Sequence, residues 1–286
     1  VQEVGWRSLF VINVPIGLAL ALPARAIPAG GAERRRPPDV LGTVLLTAGV
    51  GLSALGLSQS QPWGWNDART VAALAVGVLA AGAAIARSRR AAVPAIDTSL
   101  WRNRTFAAAN ASSLCYGISL YAWMLLGVLV LTQLWGYTEL KAGLALSPGA
   151  LAASIAAVLA GRAATRTGPR ALAVAGGALM AGTGLFMTAT LPRQPDFLGY
   201  WLPLGLVLGV GIGLLTTGTS MAGSLSLPPT AFAAGTGLNQ TARQVGGALG
   251  IAALATLVGT GRTPHLATFE HAYLCVASAA LAAGLI

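Results

Sequence analysis

Two polar segments interrupt an otherwise apolar chain, and their side chains are suited to binding rather than to bond-breaking chemistry. At 100° per residue, one helical stripe carries Asn110, Ser113, Gly117, Tyr121 and Met124. The second segment carries Asn239, Gln240, Arg243 and Gln244. Amide, hydroxyl and guanidinium groups are costly to expose to lipid, so both segments should face protein or a water-filled cavity.

These polar residues have two interpretations that the sequence leaves open. Asn110, Ser113, Tyr121 and Met124 either line a substrate cavity or, for the polar ones, hydrogen-bond between neighbouring helices. Asn239, Gln240 and Arg243 likewise belong to a cavity or gate, or Arg243 extends its side chain towards a nearby helix end.

Motifs for catalysis or metal binding do not occur in the sequence. There is no H-E-x-x-H, no G-x-S-x-G and no paired-carboxylate arrangement. His265 and His271 are six residues apart, a spacing that does not place two ligands on one helical face. We therefore predict no catalytic residue, no metal and no cofactor.

The composition identifies the elements that must position these residues. Of 286 residues, 55% are hydrophobic and only 9% are charged, and the mean hydropathy is +0.70. A soluble domain has roughly 25% charged residues. A soluble enzyme is therefore nearly excluded, and we predict an all-α polytopic membrane protein.

Charged residues divide the chain into apolar stretches long enough to cross a bilayer, which takes about 20 residues. The Ser226–Thr230 segment, with two prolines, splits the longest stretch into two. The eighth span is expected to begin near Gly237 and the ninth near Ala272. Nine spans follow, from the stretches 8–24, 40–66, 70–86, 105–138, 142–161, 171–192, 197–225, 237–261 and 272–286.

The basic residues lie mostly on one side of this predicted map. Alternate connections hold 13 arginines, against five basic residues on the other side. Basic flanks stay in the cytoplasm, so the chain should start outside a cell membrane, with its arginine-rich loops inside. This asymmetry explains the net charge of +10 without a nucleic-acid partner. Because residue 1 is Val and lies outside without a signal peptide, we expect an odd number of spans upstream and a truncated ninth span.

Several motifs resemble those of EmrB/QacA-type drug:proton antiporters, the fourteen-span branch of the major facilitator superfamily. Residues 6–17, WRSLFVINVPIG, resemble the W-R-W-x-F-x-I-N-x-P-I-G signature that opens the sixth helix of that family. Residues 39–42, 63–65, 94–106, 143–148 and 243–250 resemble later family segments in the same order. The chain would then cover helices six to fourteen.

The resemblance implies a division of the chain into three parts. Residues 1–27 would be the last helix of the N-terminal bundle, and residues 28–104 would be two inserted linker helices with arginine-rich cytoplasmic loops. Residues 105–286 would form the C-terminal six-helix bundle. Residues 161–170 resemble the cytoplasmic gating motif G-x-L-A-D-R-x-G-R-R. Gly161, Arg166, Gly168 and Arg170 fit it, but Thr165 replaces the acid and Pro169 an arginine.

The function implied by the resemblance is export of amphipathic, often cationic, drugs or antibiotics by proton-coupled antiport with alternating access. Its partners would be the substrate, the proton, the bilayer and, in a host with two membranes, an adaptor or outer-membrane component. The alternatives are an integral-membrane enzyme, a non-transporting scaffold, or an exporter of another small metabolite.

None of the eight acids lies inside a predicted span. Glu3, Asp67, Glu139, Asp196 and Glu270 are placed outside, and Glu33, Asp39 and Asp97 inside. A proton-driven antiporter usually uses a membrane-embedded carboxylate. We therefore expect the coupling carboxylate to lie in the five helices upstream.

Overall fold

The protein is built from helices. Its computed structural model describes residues 11, 13–24, 39–91, 98–228, 231–258 and 266–286, among which no strand occurs. Helix α1 (Asn13–Ala24) belongs to one compact unit, Val1–Pro37. The second unit, Pro38–Ile286, holds α2 (Val40–Ser58), α3 (Ala68–Ser88), α4 (Arg104–Leu129), α5 (Glu139–Thr190), α6 (Leu202–Leu225), α7 (Phe232–Val258) and α8 (Leu266–Leu285).

Seven of these helices, α2 to α8, are long and apolar enough to cross a membrane. Helix α5 corresponds to two predicted spans, because its 52 residues are broken at Gly168, where φ is 77° and ψ is 157°. Glycine tolerates this positive φ, and Pro169 lacks the amide that would continue the helix. The predicted all-α polytopic membrane fold is confirmed, with eight crossings in the second unit once the break is counted.

Two helices begin earlier than predicted. Helix α7 starts at Phe232 rather than near Gly237, directly after the proline segment. Arg243 is therefore eleven residues into α7, which is about 16 Å at the helical rise. Helix α8 starts at Leu266 rather than near Ala272, so Glu270 lies in its second turn and not in an outer loop. A carboxylate near a helix N-terminus is stabilised by the helix dipole, so Glu270 does not end the helix.

Helices α2 and α3 form an antiparallel hairpin whose seam consists of small residues. The buried positions recur every seven residues: Gly42, Gly49 and Gly56 on α2, and Thr70, Gly77 and Ala84 on α3. A Cβ added at Gly49 would lie 2.7 Å from the Ala81 nitrogen, so the backbones are in contact. Such close approach is typical of small residues between membrane helices.

An ion pair joins the two ends of this hairpin. Asp39 caps α2 by accepting the Gly42 amide at 2.9 Å, and the Arg87 Nε donates to the same Asp39 Oδ1 at 2.8 Å. The Gly42 hydrogen bond first, and the Arg87 guanidinium second, hold the pKa of the Asp39 carboxyl below its ordinary value. The carboxylate is therefore the form that the hairpin favours.

The remaining helices pack into a bundle through glycine contacts. Helix α6 is held between the two halves of α5: a Cβ at Gly209 would lie 2.2 Å from the Gly149 carbonyl oxygen, and one at Gly176 would lie 2.5 Å from the Leu215 nitrogen. On α7, a Cβ at Gly246 would lie 2.1 Å from the Leu114 carbonyl oxygen of α4. The G-x-x-x-G spacings at Gly205–Gly209–Gly213 and Gly246–Gly250 therefore mark helix packing, as their spacing predicts.

Candidate functional site

An apolar pocket of about 410 Å³ lies between α4, α5 and α6. Its size falls in the range of ligand pockets, roughly 300–1,000 Å³. Aliphatic, aromatic and glycine residues form its walls: Leu120, Trp123, Met124, Gly127, Val128, Ala145, Leu146, Gly149, Ala150, Ala153, Met187, Trp201, Leu204, Gly205, Leu208, Gly209 and Ile212. Of the residues proposed from the sequence, only Met124 is among them.

Two tryptophans that line the pocket, Trp123 and Trp201, pack against other aromatic rings. Trp123 packs against Tyr273 of α8 with ring centroids 4.9 Å apart. Trp201 packs against Trp135 at 5.4 Å, and the Trp135 indole donates to the Pro192 carbonyl at 2.9 Å. Because their neighbours fix these rings, the pocket is formed before any ligand enters.

The predicted polar residues instead meet at the seam between α4 and α7. Asn239 is 3% exposed, and its Nδ2 donates to Ser113 Oγ at 2.8 Å and to the Ala109 carbonyl at 3.3 Å. A Cβ at Gly117 would lie 2.0 Å from the Arg243 carbonyl oxygen, so the two backbones touch here. For Ser113 and Asn239, these contacts favour the interhelical interpretation.

Asn110 lies on the same seam but is not fully satisfied. The residue is 1% exposed, and its Nδ2 donates to the Phe106 carbonyl of its own helix at 2.8 Å. Its Oδ1 is buried and has no hydrogen-bond partner among the described residues. A buried acceptor without a partner costs about 1–3 kcal/mol.

Tyr121 marks the exposed edge of this seam. Its hydroxyl donates to Gln244 Oε1 at 2.8 Å, and its ring covers Gly247, where a Cβ would lie 2.4 Å from the ring. Met124, three residues further along α4, is 60% exposed. The predicted stripe on α4 is therefore divided: its first part is buried against α7, and its last part is open.

Arg243 is the charged member of the group. Its guanidinium donates to Gln240 Oε1 and lies over the Tyr116 ring, 5.8 Å from the centroid. Its Nε is buried without a hydrogen-bond partner, and no described carboxylate lies within ion-pair distance. An arginine deep in a bilayer costs about 2.5–3.5 kcal/mol on insertion scales. Because Arg243 lies near the middle of α7, the structure does not support a side chain that reaches a nearby helix end.

The residues that resemble a gating motif surround the break in α5. Gly168 is the break itself, and Gly161, Arg166 and Arg170 are exposed on either side of it. Within the described ranges, neither Arg166 nor Arg170 has a carboxylate in ion-pair distance. This agrees with the absence of the motif's acid at Thr165.

The residues that the structure describes contain no group of three potential metal ligands.

The pocket could not be predicted from the sequence, because Leu, Gly and Trp occur in membrane helices both where they face lipid and where they face a cavity. Several predictions, among them those on Trp6, Arg7, Glu3, Glu33, Asp97 and His265, lie outside the described residues.

Comparison with known proteins gives one family. The profile of the Major Facilitator Superfamily matches residues 1–251. The chain is 34% identical to the Multidrug resistance protein B homolog of Mycobacterium tuberculosis over 237 residues, which is 81% of this chain and 44% of that protein.

Two relatives are named as exporters. The Cephamycin export protein CmcT of Amycolatopsis lactamdurans is 32% identical over 76% of this chain and 45% of its own length. The Tetracenomycin C resistance and export protein of Streptomyces glaucescens is 30% identical over 77% of this chain and 41% of its own length. The chain thus spans less than half the length of these relatives.

Proposed function

The chain belongs to the Major Facilitator Superfamily, and on this premise we propose that it exports amphipathic drugs or antibiotics by proton-coupled antiport with alternating access. The observation that carries the proposal is the apolar pocket between α4, α5 and α6. The names of the relatives support the same activity. Membership of a transporter family favours transport over the alternatives of a membrane enzyme or a scaffold.

The pocket is suited to compounds with a rigid apolar body. Its walls come from three helices and include glycines at 127, 149, 205 and 209, which place no side chain in the pocket. In an alternating-access transporter, substrate sites lie near the bilayer midplane at the interface between the two bundles, and they open in turn to each side as the bundles rock. Residues 1–27, 28–104 and 105–286 would then act as the last helix of one bundle, two linker helices and the second bundle.

Proton coupling is part of the proposal, with the arginine-rich loops in the cytoplasm of the cell membrane. Among the described acids, Asp39, Asp67 and Asp196 precede helices or π-helical turns, and Glu139 and Glu270 lie in the first two turns of theirs. None is near mid-membrane, which supports a coupling carboxylate elsewhere in the transporter. An adaptor or outer-membrane component would be needed only in a host with two membranes.

A tryptophan placed in the pocket tests this function. Ala150 lines the pocket, so A150W in the transporter as its gene encodes it should fill the space that a substrate needs. In a drug-sensitive host, resistance to a panel of anionic, neutral and cationic amphipathic drugs should fall to the level of the empty vector. The amount of folded protein is measured in the same cells by fluorescence-detected gel filtration.

The matched control is the neighbouring residue. Leu151 is 65% exposed and lies outside the pocket, so L151W adds a similar bulk without filling it. Resistance should persist in L151W. Equal resistance in the wild type, A150W and L151W would show that the pocket does not carry substrate.

A further inference from the structure

The Arg243 guanidinium is an unpaired positive charge in the middle of a membrane helix. Its Nε is buried without a partner, and the side chains of Gln240 and Tyr116 contact the guanidinium. The Gln240 and Gln244 amides beside it are exposed, so one side of the group is open. A charge at this depth is normally paired, and an anion is the partner it lacks.

The apolar pocket ends one helical turn from Tyr116, the residue whose ring lies under the Arg243 guanidinium. On α4, Tyr116 precedes the pocket residues Leu120 and Met124 on the same stripe. On α6, Thr216 follows the pocket residue Ile212 by one turn. The Tyr116 hydroxyl and Thr216 Oγ1 are 2.5 Å apart, one turn beyond these lining residues.

The pocket and the charge are connected through Tyr116. Apolar walls line the pocket, the Tyr116–Thr216 pair lies one turn beyond it, and Arg243 lies over the Tyr116 ring. Each group comes from a different helix, α4, α6 and α7, so the site depends on the tertiary fold. A compound that fills the pocket would meet the guanidinium if its polar end displaced the contact between Tyr116 and Thr216.

We propose that Arg243 binds the acidic group of an amphipathic substrate whose apolar body occupies the pocket. This inference rests on the proposed export function and specifies its substrate class. A carboxylate would neutralise the guanidinium and accept two parallel hydrogen bonds from it, whereas a neutral compound leaves the charge uncompensated. Cationic compounds are disfavoured at this end, because the one formal charge that the described residues supply there is positive.

The test uses a matched pair of fluorescent probes, 1-pyrenebutyric acid and 1-pyrenebutanol. Both have the same apolar body, and only the acid is charged at a pH where it is ionised. Trp123 and Trp201 line the pocket, so energy transfer from tryptophan to pyrene reports binding without any transport. The purified transporter, as its gene encodes it, is titrated with each probe in lipid nanodiscs.

We expect the wild-type protein to bind the acid more tightly than the alcohol by about tenfold or more, since a charged hydrogen bond is lost with the alcohol. R243Q should remove this difference and leave the affinity for the alcohol unchanged. R243K should retain part of it, because lysine keeps the charge but not the planar fork. R193Q, the same change at an exposed loop arginine, should behave like the wild type.

Three results would overturn the inference. Equal wild-type affinity for both probes would refute the acid preference and leave the pocket in place. Loss of both probes in R243Q, together with a lowered melting temperature, would show that the guanidinium is already paired with a carboxylate of the protein itself. No binding of either probe to the wild type would refute the pocket and the acid site together.

Discussion

Helix α4 has two faces that differ in polarity and in how closely they pack against their neighbours. The face towards α6 is apolar, is lined by Leu120, Trp123 and Gly127, and borders an open pocket. The face towards α7 carries Asn110, Ser113 and Gly117 and is closed by direct backbone contact and hydrogen bonds. In a membrane helix, a polar stripe can therefore mark a tightly packed contact with another helix, and an apolar stripe can line a cavity.

The largest expected effect on stability comes from disrupting the contact between α4 and α7. A Cβ at Gly246 would lie 2.1 Å from a carbonyl oxygen of α4, so G246A forces the two helices apart. We expect the free energy of unfolding to fall by about 3 kcal/mol, at the upper end of overpacking effects. Thermal unfolding in detergent, followed by gel filtration, measures the change.

Gly237 on the same helix is the control, because a Cβ there has no neighbour within 4 Å. G237A should preserve or slightly raise stability through its better helix propensity. If G246A were as stable as G237A, the contact between α4 and α7 would be looser than the structure shows.

A smaller effect on stability is expected from removing hydrogen bonds between α4 and α7. N239L removes the two bonds that Asn239 donates to Ser113 and Ala109, and the free energy of unfolding should fall by about 1 kcal/mol. The double variant with S113A should lose less than the two single variants added together, because it also removes the stranded hydroxyl. Strict additivity in this cycle would mean that the two side chains do not interact.

The smallest effect on stability is expected at the open edge of α4. Y121F removes the exposed hydrogen bond to Gln244, and the free energy of unfolding should change by about 0.5 kcal/mol or less. Resistance in whole cells then decides what Tyr121 does: it should fall if the phenol contacts substrate. Unchanged stability and unchanged resistance together would remove Tyr121 from the candidate site.

The fold could be predicted well from the sequence and the site only in part. Charges are costly in lipid, so they end or interrupt nearly every span and reveal the crossings. Polar residues such as Asn239 and Arg243 are equally visible, but their type does not say whether another helix or a ligand satisfies them. The pocket residues Leu120, Ala150 and Leu208 are visible only in the structure, since lipid and cavity select the same side chains there.

The starts of α7 and α8 were misplaced for a related reason. The prediction began the eighth and ninth spans after polar residues, yet Thr236 and Glu270 are both helical. Polar groups are tolerated in the first turns of a membrane helix, where the backbone amides are unpaired and water is near. A hydropathy boundary therefore does not mark the residue at which a membrane helix begins.

The spacing of small residues in the α2–α3 hairpin has a consequence for its shape. A buried position recurs every seven residues, at Gly42, Gly49 and Gly56. A seven-residue repeat equals two turns of 3.5 residues each, slightly fewer than the 3.6 of a straight helix. Two helices that keep such a seam together wind around each other as a left-handed coiled coil. Small residues occupy most of the places that leucine fills in soluble coiled coils, and at Gly49 the facing atoms are the backbone and Cβ of Ala81, which cannot move aside. A single added methyl at Gly49 would shift the superhelix as a unit.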